Sequence, residues 1–113
     1  MVELLEPDEL RSALGTRPGW SGDRSAISRT VAMPSFPEAI TVVDRVAVVA
    51  EELNHHPDID IRWRNVTFRC ATHSAGGVTP KDLHLAERID AIVAAAGGRD
   101  AAAAGGGGGG GAG

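Results

Sequence analysis

Lysine is almost missing from this sequence. Lys81 stands alone, and the arginines are scattered with no basic run. With a formal net charge of −4, nothing points to nucleic acid as a direct partner, since that requires a concentrated positive patch. Cysteine is reduced to Cys70, which excludes an internal disulfide and fits a reducing compartment such as the cytoplasm. Long apolar runs are lacking too. The valine-rich stretch from Val42 to Val49 is broken by Asp44 and Arg45, so it reads as a buried helix and not as a membrane span. The acidic opening Met1-Val2-Glu3-Leu4-Leu5-Glu6 has no apolar core, and neither a signal peptide nor an anchor is expected there. The 113-residue chain finishes in alanine and glycine. Such a stretch buries too little surface to order itself, so a disordered tail is expected over 99–113, after one small domain over 1–98.

What is present alternates between helical and strand periodicity. Pro7-Asp8-Glu9 opens a short helix that Gly15 ends. Trp20 precedes Ser21-Gly22-Asp23-Arg24, which reads as a hairpin turn, and Ile27 to Val31 alternates as a strand. Ser35-Phe36-Pro37-Glu38 is a capping-box pattern opening a helix that should run to about Asn54. Its apolar stripe is wide enough to cover a sheet and to meet a second subunit. Pro57 must stop it, and His56, just before the proline, is driven out of helical geometry. Ile59, Ile61 and Trp63 then alternate with Asp60, Arg62 and Arg64, and Val66, Phe68 and Cys70 alternate with Thr67, Arg69 and Ala71. These are two antiparallel strands with a turn near Arg64-Asn65, and Trp63 falls on the apolar face. Thr79-Pro80-Lys81-Asp82 starts the last helix, which Gly97-Gly98 ends. The expected fold is α+β, an αββαββα sandwich with a four-stranded antiparallel sheet and its helices packed on one face. Its open edges leave room for edge-to-edge dimerisation.

Ionisable groups gather at the end of the long helix. Glu51 and His55 share a helix face, His56 lies just past the helix end, His73 comes from the far end of the last strand, and Asp82 sits in the first turn of the final helix. Imidazoles on separate elements, with carboxylates to orient them, suit proton transfer in both directions. A single histidine at a helix end usually serves as a cap, but capping does not explain an adjacent pair before proline. Zinc is the rival chemistry, and it needs three or four ligands; adjacent histidines rarely reach one metal, and Cys70 points to the core. His84 reads as solvated surface, Trp63 as core, and Ser74 lacks the elbow of a nucleophile.

At these residues the sequence resembles the pterin-4a-carbinolamine dehydratases. Glu51, His55-His56-Pro57, Trp63, Thr72-His73 and Asp82-Leu83-His84-Leu85-Ala86 fit that family's signature in spacing, and the early Gly19-Trp20 agrees. The resemblance spans about Leu5 to Ala95 and implies the αββαββα fold. It implies dehydration of 4a-hydroxytetrahydropterins to quinonoid dihydropterin, as in tetrahydrobiopterin recycling, without metal or organic cofactor. It implies His55, His56 and His73 as the catalytic set, with His56 and His73 in the principal proton transfers and His55 binding and assisting. Glu51, Asp82 and Trp63 would bind or orient. The implied partners are a pterin substrate and copies of the same chain in a homodimer or homotetramer. Two features depart from the family: Ile59 stands near a position that is aromatic in animal members, and the Ala/Gly tail is foreign to it. Animal relatives also act as dimerisation cofactors of a homeodomain transcription factor. That leaves a pterin-binding or protein-assembly module as the alternative function.

Overall fold

Alternation and capping place the elements in a computed structural model that describes residues 3–101. Helix α1 covers Pro7–Gly15, β1 Ser21–Asp23, β2 Ala26–Ala32, α2 Phe36–Leu53, β3 Asp58–Arg62 and β4 Asn65–Cys70. A single 3₁₀ turn follows at His73–Ala75, then α3 at Pro80–Ala95 and β5 at Arg99–Asp100. All strand pairings are antiparallel, in the order β1-β2-β4-β3, with β5 also on β2. Because β4 holds one side of β2 along Ile27–Ala32, β1 and β5 share the other side, β1 on Ala26–Ser28 and β5 on Val31–Ala32.

The register separates the two sheet faces. Ile27 faces Cys70, Val31 faces Val66, and Ile59 and Ile61 face Phe68 and Val66. These side chains meet Leu10 of α1, Val42, Val46 and Val49 of α2, and Leu85, Ile89 and Val93 of α3 in one core. The alternate residues pair polar groups across the other face: Thr30 with Thr67, Ser28 and Asp58 with Arg69, and Asp60 with Thr67. One face is therefore covered by helices and the other is left polar, as period-two patterning dictates.

Three local expectations change. Ser21–Asp23 is a strand, and the turn falls on Arg24–Ser25. Gly22 serves close approach and not the turn: a Cβ there would lie 2.2 Å from the Ala26 carbonyl oxygen. Asp23 fixes the turn by accepting from the Ser25 hydroxyl and N–H, bonds that hold its carboxyl below the usual value. Trp63 is neither in the strand nor in the core. Arg62 pairs with Asn65, so Trp63 and Arg64 become the loop of the β3–β4 hairpin. Trp63 takes φ 58, is 40% exposed, and lies under the Arg64 guanidinium at 4.5 Å. The domain also continues past residue 98. Arg99–Asp100 pair with β2, the Ala101 N–H donates to the Thr30 carbonyl at 3.1 Å, and Ala101 is buried. The rest of the expected tail, 102–113, lies outside the described residues. No helix among the described residues is long and apolar enough to cross a membrane.

Candidate active site

The end of α2 delivers the first two imidazoles. Ser35 starts this helix by accepting the Glu38 N–H at 3.2 Å, and Asn54 ends it in the left-handed conformation, φ 51. The change of hand at Asn54 removes His55 and His56 from the helical spiral before Pro57 is reached. Glu51 and His55 therefore do not pair as their spacing on a continuing helix would require. Glu51 Oε2 instead lies 2.6 Å from Nε2 of His56, both groups being exposed. His55 turns inward, its side chain 11% exposed, and its Nε2 meets Asp82 Oδ1 at 2.6 Å.

Asp82 is wholly buried at the start of α3. It is the third residue of a capping box in which Thr79 is the cap, and its Oδ2 accepts the Thr79 N–H at 2.9 Å. Thr72 supplies a second donor to the same oxygen at 2.8 Å, and its hydroxyl meets that of Thr79 at 2.7 Å. Thr72 and Thr79 are both buried. One carboxylate thus both caps a helix and holds an imidazole.

His73 is not at the end of a strand. Strand β4 stops at Cys70, Thr72 makes an isolated bridge with Gly77, and His73 opens the 3₁₀ turn between them, exposed to solvent. Gly76 closes the turn at φ 80. The residue preceding His73 in the chain bonds to the carboxylate that holds His55, so the turn is anchored against the end of α2. The structure accordingly ties the settings of His55, His56, His73, Glu51 and Asp82 to one end of the sheet. It does not bring Trp63 there, since that residue lies beyond the whole of β3, roughly 16 Å of extended chain from Asp58.

Sequence reasoning passed over Thr79 as more than a cap and gave Thr72 no role of its own. The available signal was the Thr-x-x-Asp spacing, which predicts an acidic side chain returning to the cap. Cys70 is wholly buried, and burial, reinforced by Asp82, pushes its thiol up to about 12, away from the thiolate form a nucleophile or metal ligand needs. His84 is exposed, as its place on α3 suggested. Among the described residues no three His, Cys, Asp or Glu side chains group closely enough to hold a metal ion.

Comparisons with known proteins bear on this geometry. The family model described as pterin 4 alpha carbinolamine dehydratase matches residues 3–92. A Nocardia farcinica protein provisionally named pterin-4-alpha-carbinolamine dehydratase is 54% identical over 91 residues, which cover 80% of this chain and 96% of that protein. A Mycolicibacterium smegmatis protein with the same provisional name is 50% identical over 93 residues, 82% of this chain and 99% of its own. The crystal structure of a transcriptional coactivator/pterin dehydratase from Brucella melitensis matches with a TM-score of 0.76 at 34% identity, covering 80% of this chain and 98% of that one.

Proposed function

The chain belongs to the pterin 4 alpha carbinolamine dehydratase family, and from that membership we propose that it dehydrates 4a-hydroxytetrahydropterins by histidine acid–base catalysis. The reaction breaks the C4a–O and N5–H bonds and forms a C4a=N5 double bond. One proton must reach the departing hydroxyl, which leaves as water, and one must leave N5. The two transfers balance, so no oxidant, metal or organic cofactor is required by the chemistry.

His56 and His73 carry the principal transfers in this reading. Both are exposed to an incoming substrate and sit on different elements, so one can serve as acid while the other serves as base. His55 binds and assists. Glu51 and Asp82 orient the rings of His56 and His55. The observation that carries the reading is the pair of adjacent imidazoles, each bonded through Nε2 to its own carboxylate at 2.6 Å, with His73 next in the chain after Thr72, which bonds to the Asp82 that holds His55.

The test is the rate of 4a-hydroxytetrahydropterin dehydration, followed by absorbance against the spontaneous reaction. The wild type should exceed that background, and His56→Ala with His73→Ala should remove the excess. A wild-type rate equal to background rejects the proposal.

A second reading, pterin binding or protein assembly with little turnover, draws on the apolar residues that α2 leaves exposed. Phe36, Ile40 and Val48 are 48%, 37% and 66% exposed, a row suited to contact with another chain. The same row supports assembly of this chain into a homodimer or homotetramer, which light scattering would read. The expected location is the cytoplasm, in keeping with the buried, unpaired Cys70.

A further inference from the structure

The contacts behind His55 fix where each proton of the cluster lies. Thr79 Oγ1 accepts the Lys81 N–H at 3.2 Å, and Asp82 Oδ2 accepts the Thr79 N–H at 2.9 Å. Thr72 Oγ1 stands 2.8 Å from Asp82 Oδ2 and 2.7 Å from Thr79 Oγ1. A carboxylate oxygen can only accept, so the Thr72 proton points at Asp82. The Thr72 oxygen then accepts from the Thr79 hydroxyl, and both hydroxyl protons are committed. Asp82 Oδ1 also accepts, and the group facing it at 2.6 Å is Nε2 of His55. The imidazole proton therefore sits on Nε2, and Nδ1 is the ring nitrogen left for a ligand. Because Asp82 and Thr79 are wholly buried and Thr72 nearly so, each of these bonds must be made within the protein.

We propose that Thr72 is a positioning residue that acts through Asp82 to hold His55 as its Nε2–H tautomer, so that Nδ1 accepts an N–H of the pterin. Thr72 also acts through its backbone. Its N–H donates to the Gly77 carbonyl at 2.8 Å, and its own carbonyl accepts from Ala75 and Gly76 at 3.0 Å each. These bonds close the turn that begins at His73. One residue thus sets the ring of His55 and the root of His73. The identity of the ligand rests on the dehydratase reading, whereas the tautomer does not.

The test uses the full chain labelled with ¹⁵N. Long-range ¹H–¹⁵N correlation at about pH 8 reports which ring nitrogen carries the proton. Wild-type His55 should show a protonated Nε2 and a bare Nδ1. Thr72→Val takes one of the two donors from the buried Asp82 Oδ2, so the carboxyl should no longer hold the ring, leaving a mixture of tautomers and raising KM at least about tenfold, with less change in kcat. Thr72→Ser, which keeps the hydroxyl, should restore both. A wild-type His55 protonated on Nδ1 overturns the proposal without any variant being needed. So does a folded Thr72→Val with the wild-type tautomer and KM. An inactive wild type with His55 in the Nε2–H form would reject the dehydratase reading and still support the Thr72 network, so the two fail separately.

Discussion

At Cys70 the chemistry of a single residue is set by its surroundings. The thiol sits at the inner end of β4, wholly buried, and is raised from 9.0 to about 12, chiefly by burial. Above about pH 9 the unfolded chain releases this proton while the folded chain keeps it, so folding loses stability as pH rises from about 9 towards 12 and has all of it below 9. Urea unfolding across this range should show that loss in the wild type and a shallower one in Cys70→Ala. An equal slope in the two proteins would contradict the assignment. The inward direction of Cys70 was legible because strand alternation leaves a side chain only two choices. The histidines were legible because Pro57 marks where their helix must give way. Glu51 and Asp82 were legible as orienting carboxylates, but which imidazole each one holds was not. Spacing pairs Glu51 with His55 on a continuing helix, but Asn54 reverses the hand of the chain one residue too early for that. Thr72 gave no signal as a positioning residue, because a threonine beside a strand is ordinary and its bond to Asp82 appears only once α3 has docked.

The elements themselves were largely written in their ends. Ser35 and Thr79 announce the starts of α2 and α3, and the apolar alternation of β3 and β4 gives their pairing. The hairpin between them hid its register because Trp63 continues the alternation that Ile59 and Ile61 begin. Cross-strand pairing of Arg62 with Asn65 overrides it and forces a tryptophan into φ 58, a conformation that costs an L-residue roughly 1–2 kcal/mol. The Arg64 stack over its ring returns about 0.5–1 kcal/mol at an exposed site. Replacing Trp63 by glycine removes both, so Trp63→Gly should shift the unfolding free energy by no more than about 1 kcal/mol. Its kcat and KM should match the wild type, since the turn and the histidines occupy opposite ends of β3. A raised KM would instead return Trp63 to the substrate site, brought there by a second copy of the chain.

Across the whole molecule, the sheet explains why the histidine end holds its shape and where the domain closes. Strand β4 lies between β2 and β3, and the turn carrying His73 leaves from its end, so the site is built on the best-paired part of the sheet. The other side of β2 is completed by two short pieces distant in sequence, β1 and β5. Two residues carry too little pattern to announce a strand, which is why β5 was read as tail. Its attachment is polar: Arg29, on the helix-covered face, pairs with Asp100 at 2.9 Å and also with Asp90 of α3, which accepts the Trp20 indole N–H at 2.9 Å. With the Ala101 N–H bonded to Thr30, these contacts fasten residues 99–101 to β2, α3 and the segment before β1. A protein ending at Gly98 would leave Arg29 without Asp100 and expose the β2 edge, whereas one ending at Ala101 keeps both. The shorter form should unfold at lower urea, by about 1–3 kcal/mol, the cost of leaving part-buried polar groups unpaired. The dehydration rate of the folded fraction should be the same in both forms, because the contacts removed touch neither Asp82 nor Thr72. Equal stability of the two would show that β5 rests on the sheet without holding it.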